Sequence, residues 1–292
     1  MAARLRDLHN PHLPGLRSGG PVSGSRGRAV LILGAVGVLV LALLVGLVVS
    51  LTGLFSSGGS SGPDAAPAAG SAAGPEVSGQ GAVGSGPQAE AALARAPMLE
   101  LPAQAVLPHA LSSRSAGAPI ALPAPRQVAG VPVPTGFDDT PEGAIAQAVE
   151  LTRTGAAGMD PQVWAQAYTS LAEPGAAAAD QTPAARDMVG FRRAANLPRT
   201  GPREGMTISW APTSAMIKGS TDDGRYTVVC VLGELVTDYK GRVASGGWGN
   251  CLPLRRMGEQ WRVASGPAAW VAPAAWPGSD EAIAAGYRDI TR

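Results

Sequence analysis

Two cysteines, three histidines and a few paired acids are the residues of this 292-residue chain best placed to do chemistry. Cys230 and Cys251 lack the C-x-x-C spacing of a redox pair. A two-residue turn at Lys240-Gly241 would join the β-rich runs on either side of it and set the cysteines directly opposite each other. Opposed side chains on antiparallel strands lie near the span of a disulfide. The spacing therefore predicts a cross-strand bond, worth about 3 kcal/mol for a loop of roughly 20 residues. His9, His12 and His109 all precede residue 135, which leaves the following segment without a histidine. Ser-His-Asp and Cys-His arrangements are excluded there. So is a zinc site, since two cysteines without histidine partners do not complete one. No G-x-x-x-x-G-K-[ST] loop is present to cradle a phosphate.

The remaining polar clusters read as structural. Asp138-Asp139 falls at a helix entrance and Asp222-Asp223-Gly224 at a turn, where capping and turn chemistry explain them. Gly246-Gly247-Trp248-Gly249 lies in an expected strand and reads as a bulge or a close backbone approach. Arg192-Arg193 and Arg255-Arg256 read as solvated charges. Trp270 and Trp276, in WVAPAAW, are the candidates for partner binding, because tryptophan is favoured at interface hot spots. The competing reading is that they cover an open end of a sheet. No catalytic residue, cofactor or metal site is expected.

The elements that would position these residues are legible from residue 135 onward. Six Trp, four Tyr and three Phe are present, and all but Phe55 lie at or beyond Phe137. Aromatic side chains dominate cores, so one folded unit is expected over 135–292. Thr140-Pro141-Glu142, Asp160-Pro161 and Thr182-Pro183 each start a helix, with a capping side chain followed by proline in the first turn. Strands follow: Met206–Trp210 and Ser214–Lys218 interrupted at Pro212, then Arg225–Thr237, Arg242–Arg256 and Gln260–Ala264. Ser279–Asp289 is expected as a terminal helix. Helices followed by an antiparallel meander give an α+β class, with the helices packed on a curved sheet.

Before that unit the composition changes. Residues 29–55 are apolar and uncharged, long enough to cross a hydrocarbon layer of about 30 Å as a helix. Arg4, Arg6, Arg17, Arg26 and Arg28 precede the run, and the next basic residue after it is Arg95. This asymmetry places residues 1–28 in the cytoplasm as a basic tail and the bulk of the chain outside, anchored in the cell membrane by a single pass through the lipid bilayer. Residues 56–134 are rich in Ala, Gly, Pro and Ser and read as a disordered tether with a reach of about 50 Å. Within it, Gln88–Arg95 has the composition of a short helix and Met98–Leu107 that of a docked extended piece; both are assigned to the tether. Net charge is +1, and no basic stripe with interleaved aromatics is present, so no direct nucleic-acid contact is predicted.

The order of basic tail, apolar span, Ala/Pro tether, then GFDDTPEGAIAQAVEL and a close of WPGSDEAIAAGYRDI resembles actinobacterial membrane proteins of integrative and conjugative elements. Gly136-Phe137 followed by Thr140-Pro141-Glu142-Gly143-Ala144 carries most of the likeness, which covers roughly 135–292. The layout also resembles the bitopic scaffold subunits of type IV secretion and conjugation machines. The resemblance implies a cystatin-like (nuclear-transport-factor-2-like) outer domain. It also implies a non-enzymatic assembly role, with other membrane or secretion-complex proteins and copies of itself as partners. An extracytoplasmic module binding a ligand or the cell wall is the alternative; it predicts a deep apolar pocket in the cone of the sheet.

Overall fold

The computed structural model describes residues 84–292. The basic tail, the apolar run 29–55 and the first part of the expected tether lie outside the described residues. Among the described residues no helix is long and apolar enough to cross a membrane.

The three expected helices form where their caps place them. They are α2 (Pro141–Gly155), α3 (Pro161–Leu171) and α4 (Pro183–Ala194), following α1 (Pro87–Arg95). In α2, α3 and α4 the Thr140, Asp160 and Thr182 side chains accept the N–H of Gly143, Gln162 and Ala185. Each thereby satisfies a donor that the first helical turn leaves unpaired. The sheet has the order β1-β6-β2-β3-β4-β5. Its strands are β1 (Ile120–Ala121), β2 (Met206–Thr221), β3 (Tyr226–Tyr239), β4 (Arg242–Met257), β5 (Gln260–Val263) and β6 (Arg288–Thr291). β2 to β5 form an antiparallel meander, with a register shift between Pro212 and Ser214 where proline removes a ladder donor. The class is α+β, with helices on a curled, mostly antiparallel sheet.

The β3–β4 register turns at Lys240-Gly241 and pairs Cys230 with Cys251. The two are disulfide-bonded with Cα atoms 4.0 Å apart.

Alternation along β3 sends Val229 and Val231 into one core and Tyr226, Val228, Cys230 and Leu232 into another. The first core lies under α2, α3 and α4 and contains Trp164, Trp210, Trp248 and Trp261. The second lies on the opposite face, under Leu93, Ala94 and Ala105 from the N-terminal side and residues 264–287 from the C-terminal side. The sheet is thus the middle of three layers.

The structure corrects five expectations. Residues 84–134 do not behave as a disordered tether: α1, a 3-10 turn at Ala103–Val106 and β1 pack against the sheet. We call this segment the strap. The domain therefore begins ahead of residue 135. The terminal helix is short, α5 (Asp280–Ala284), because Gly286 at φ 97° stops it and the chain turns into β6. Neither arginine pair is simply solvated: Arg192 is 3% exposed, and the Arg255 and Arg256 side chains are 22% and 9% exposed. His109, placed outside the domain, contacts Glu281 of α5.

The glycine run in β4 marks a close approach and shifts no register. A Cβ on Gly247 would fall 1.7 Å from the carbonyl oxygen of Ala275, in the outer layer. Backbone cannot yield as a side-chain tip can. Gly247→Ala is expected to lose about 3 kcal/mol, read as a lower urea midpoint with an unchanged slope.

Candidate functional site

Three places have the geometry for recognition: the outer layer with its tryptophans, the concave side of the sheet, and a groove beside β1.

In the outer layer the strap runs alongside residues 270–278. Trp270 N–H donates to the Ala94 carbonyl at 2.9 Å, Trp276 N–H to Ala105 at 2.6 Å, and Ser112 N–H to Gly278 at 2.8 Å. The WVAPAAW segment is therefore bound through its backbone to this chain's own strap. Trp276 is half-buried, while the Trp270 side chain remains 41% exposed next to Val271 at 49%. Of the two tryptophans, Trp270 is the one that presents its ring as a contact surface.

Polar contacts hold the strap near its start and near its middle. Arg255 bridges Glu90 of α1 and Glu173 after α3, each at 2.5 Å, and donates to Ser265 Oγ at 3.0 Å. Its guanidinium also lies 5.7 Å from the Tyr226 ring centre, and the Tyr226 hydroxyl donates to the Glu90 carbonyl at 3.1 Å. The Lys218 ammonium donates to the carbonyls of Ala94 and Ala96, the open carbonyl end of α1. Burial pushes its pKa down to about 8. Near the strap's middle, Asp280 accepts from Ser112 and Arg114, and His109 pairs with Glu281 at 3.1 Å. The Leu107 carbonyl, and then Glu281, hold the His109 imidazole above its ordinary value.

The concave side of the sheet is filled. Trp210 and Trp248 meet edge to face with centres 5.7 Å apart, across Gly233, where a Cβ would fall 2.6 Å from the Trp210 ring. Every buried indole N–H has a protein partner: Trp164 on Thr182, Trp210 on the Trp248 carbonyl, Trp248 on Asp187, and Trp261 on the Asp138 carbonyl. At the mouth is a recess of about 210 Å³, with Arg192 and Asp160 in its wall beside Val163, Met206 and Ile208. Arg192 donates to the carbonyls of Pro198, Gly158 and Gly201, and Asp160 accepts from Gly201 N–H, so both tie the loop before β2 in place. The groove beside β1 is wider, about 480 Å³, between β1, β2 and the start of α2, with Glu142 and Arg288 at its rim.

Asp187 carries a titration that can be measured. Burial raises its carboxyl above the ordinary value, opposed by the Trp248 N–H and by Arg186. The folded state then holds this proton to higher pH than the unfolded state. Stability falls as pH rises through the raised value, and the penalty remains at neutral pH. Asp187→Asn keeps an acceptor for Trp248 and removes the charge. It is expected to unfold at a higher temperature than the parent at pH 7, and at the same temperature below the ordinary carboxylate range, as read by thermal melts across pH.

Among the described residues no group of three or more His, Cys, Asp or Glu side chains is placed to hold a metal ion. Sequence reasoning picked out Cys230, Cys251, Trp270 and Trp276. It missed Arg255, Lys218 and the strap. The available signal was β3 itself: TVVCVL is apolar without alternation, the pattern of a strand buried on both faces. No family model, characterised protein or solved structure matches this chain.

Proposed function

We propose that this protein is a non-enzymatic, membrane-anchored scaffold, an assembly component of a conjugation or secretion complex. In this reading residues 29–55 form the single-pass anchor and the α+β domain lies outside the membrane. The domain is a variant of the cystatin-like (nuclear-transport-factor-2-like) layout, with the strap added as a third layer. The observation that carries the reading is the filled concave side. The competing ligand-binding reading needs a deep apolar pocket there. Four tryptophans occupy that space, and the recess left, about 210 Å³, is below the roughly 300–1,000 Å³ of small-molecule sites. An exposed Trp270 beside Val271 suits a surface that docks against protein.

The ligand-binding reading keeps one specific support, the 480 Å³ groove beside β1 with its Glu142 and Arg288 rim. Light scattering on the full-length chain in detergent separates the two readings. A defined oligomer that persists on dilution is expected of the scaffold. A monomer at every concentration would overturn it and turn attention to the groove.

A further inference from the structure

The open edge of β2 carries an inference that rests on the scaffold reading and deepens it. β2 runs from Met206 to Thr221 and pairs with β3 along its length. On its other side β6 pairs only at Ser214 and Ala215. The Met206 N–H donates to the Arg203 carbonyl at 3.1 Å, and among the described residues no strand and no side chain hydrogen-bonds the outward backbone of residues 207–211. Thr207, Ser209 and Ala211 are exposed, and Met206 and Ile208 are half-buried. Sheet edges are ordinarily blunted by charges, proline, bulges or a covering element. Here the stretch is Met-Thr-Ile-Ser-Trp-Ala, without a charge or a proline until Pro212.

We propose that this edge is the contact between two copies of the chain, joined strand to strand and antiparallel about a two-fold axis at Ser209, which sets Ser209 opposite its own equivalent and Thr207 opposite Ala211. The choice of a second copy over another protein follows from composition and length. An isologous contact pairs residue i with j and j with i, so a short segment must match its own reverse, and a charge at or next to the axis would lie close to its own copy. This segment has none, and it therefore complements itself. It is also short and bounded, by the turn at Arg203–Met206 on one side and by β6 on the other. An antiparallel pairing of two such segments satisfies both edges at once and leaves no free end to propagate a fibre. Met206, Ile208 and Trp210 lie on the concave face of both copies. The apolar inner surfaces would then run on from one sheet to the next, while Thr207, Ser209 and Ala211 meet on the outside.

The test uses the full-length chain in detergent with three substitutions. Ser209→Cys, under a mild oxidant, is expected to give a reducible covalent dimer. Val243→Cys, at a residue 67% exposed on the far hairpin, is expected to give only background. Ser209→Lys sets two ammonium groups against each other. It is expected to raise the concentration at which the oligomer forms at least tenfold while leaving the melting temperature near the parent's. If Ser209→Lys fails to fold, the cross-linking of Ser209→Cys decides alone. Cross-linking no greater than that of Val243→Cys overturns the proposal, as does a Ser209→Cys product joined only to a different protein. A parent oligomer unaffected by either Ser209 change removes the edge and leaves the scaffold reading standing. A parent that is monomeric throughout removes both.

Discussion

A chain cut to start at residue 135 is expected to lose its cooperative fold, although it retains α2 to α5 and β2 to β6. The cut removes α1, the 3-10 turn and β1, and with them the buried side chains of Leu93, Ala94, Ala105, Ile120 and Val133. Burying a side chain the size of Leu, Ile or Val contributes roughly 1.5–3 kcal/mol. Three of them alone sum to about 5–9 kcal/mol, comparable with the 5–15 kcal/mol of a whole domain. The loss also has a second part. Met216, Tyr226, Val228 and Leu232 would keep only the C-terminal half of their cover, and an uncovered apolar sheet face drives association. The comparison is between chains starting at 84 and at 135, by near-ultraviolet dichroism, dye binding and urea titration. The longer chain is expected to unfold in one sharp transition. The shorter one is expected to bind an apolar dye and lose its aromatic signal. If both unfold alike, the strap is not part of the cooperative unit.

Replacing Arg255 with alanine is expected to lose about 3–5 kcal/mol, more than any other single charge removal in the described residues. Arg255 is the shared partner of two carboxylates on different layers, Glu90 at 9% side-chain exposure and Glu173 at 5%. Removing the partner of a buried charge leaves that charge without compensation, and here one substitution strands two. Arg255→Lys is expected to recover only part of the loss, because a single ammonium lacks the planar fork that reaches two acceptors. Glu90→Gln together with Arg255→Met restores neutrality on the strap side. It is expected to be milder than Arg255→Ala if stranded charge is the cause. Urea midpoints for the three variants check the ordering. Equal losses for Arg255→Ala and the double variant would point instead to lost packing against Tyr226.

The parts of this fold that were legible in the sequence are those set by local chemistry. A capping side chain followed by proline fixed the starts of α2, α3 and α4 because the cap and the ring act within one turn. Lys240-Gly241 fixed the β3–β4 register, and with it the cysteine pair, because a two-residue turn leaves no freedom in which positions face each other. The strap was illegible for the opposite reason. Leu93, Ala94 and Ala105 lie in Ala/Pro-rich sequence whose composition alone argues for disorder. Its burial depends on Arg255, Lys218 and Tyr226, more than a hundred residues away in the chain. Arg255 and Arg192 look solvated in a linear reading, since nothing adjacent to them announces a carboxylate or a ring of carbonyls. The small side chains in the glycine run of β4 were noticed as a close approach, but what approaches them, Ala275, could be known only from the outer layer.

β1 and β6 pair in parallel, Ile120 with Ile290 and Ala121 with Thr291, and this imposes an order in time. During synthesis the strap leaves the ribosome ahead of the sheet, and the residues that complete its seat leave near the end. The meander can form as soon as residue 263 is available, since its turns are short. Its outer face must then wait for residues 264–287, and β1 must wait for 288–291. Through that interval an apolar sheet face and an unpaired strand are both open to the surroundings, the state in which growing chains aggregate. The long loop between Ala121 and Ile290 also makes this contact slow to close. Any chaperone or partner that engages this protein before it is finished would meet that face first.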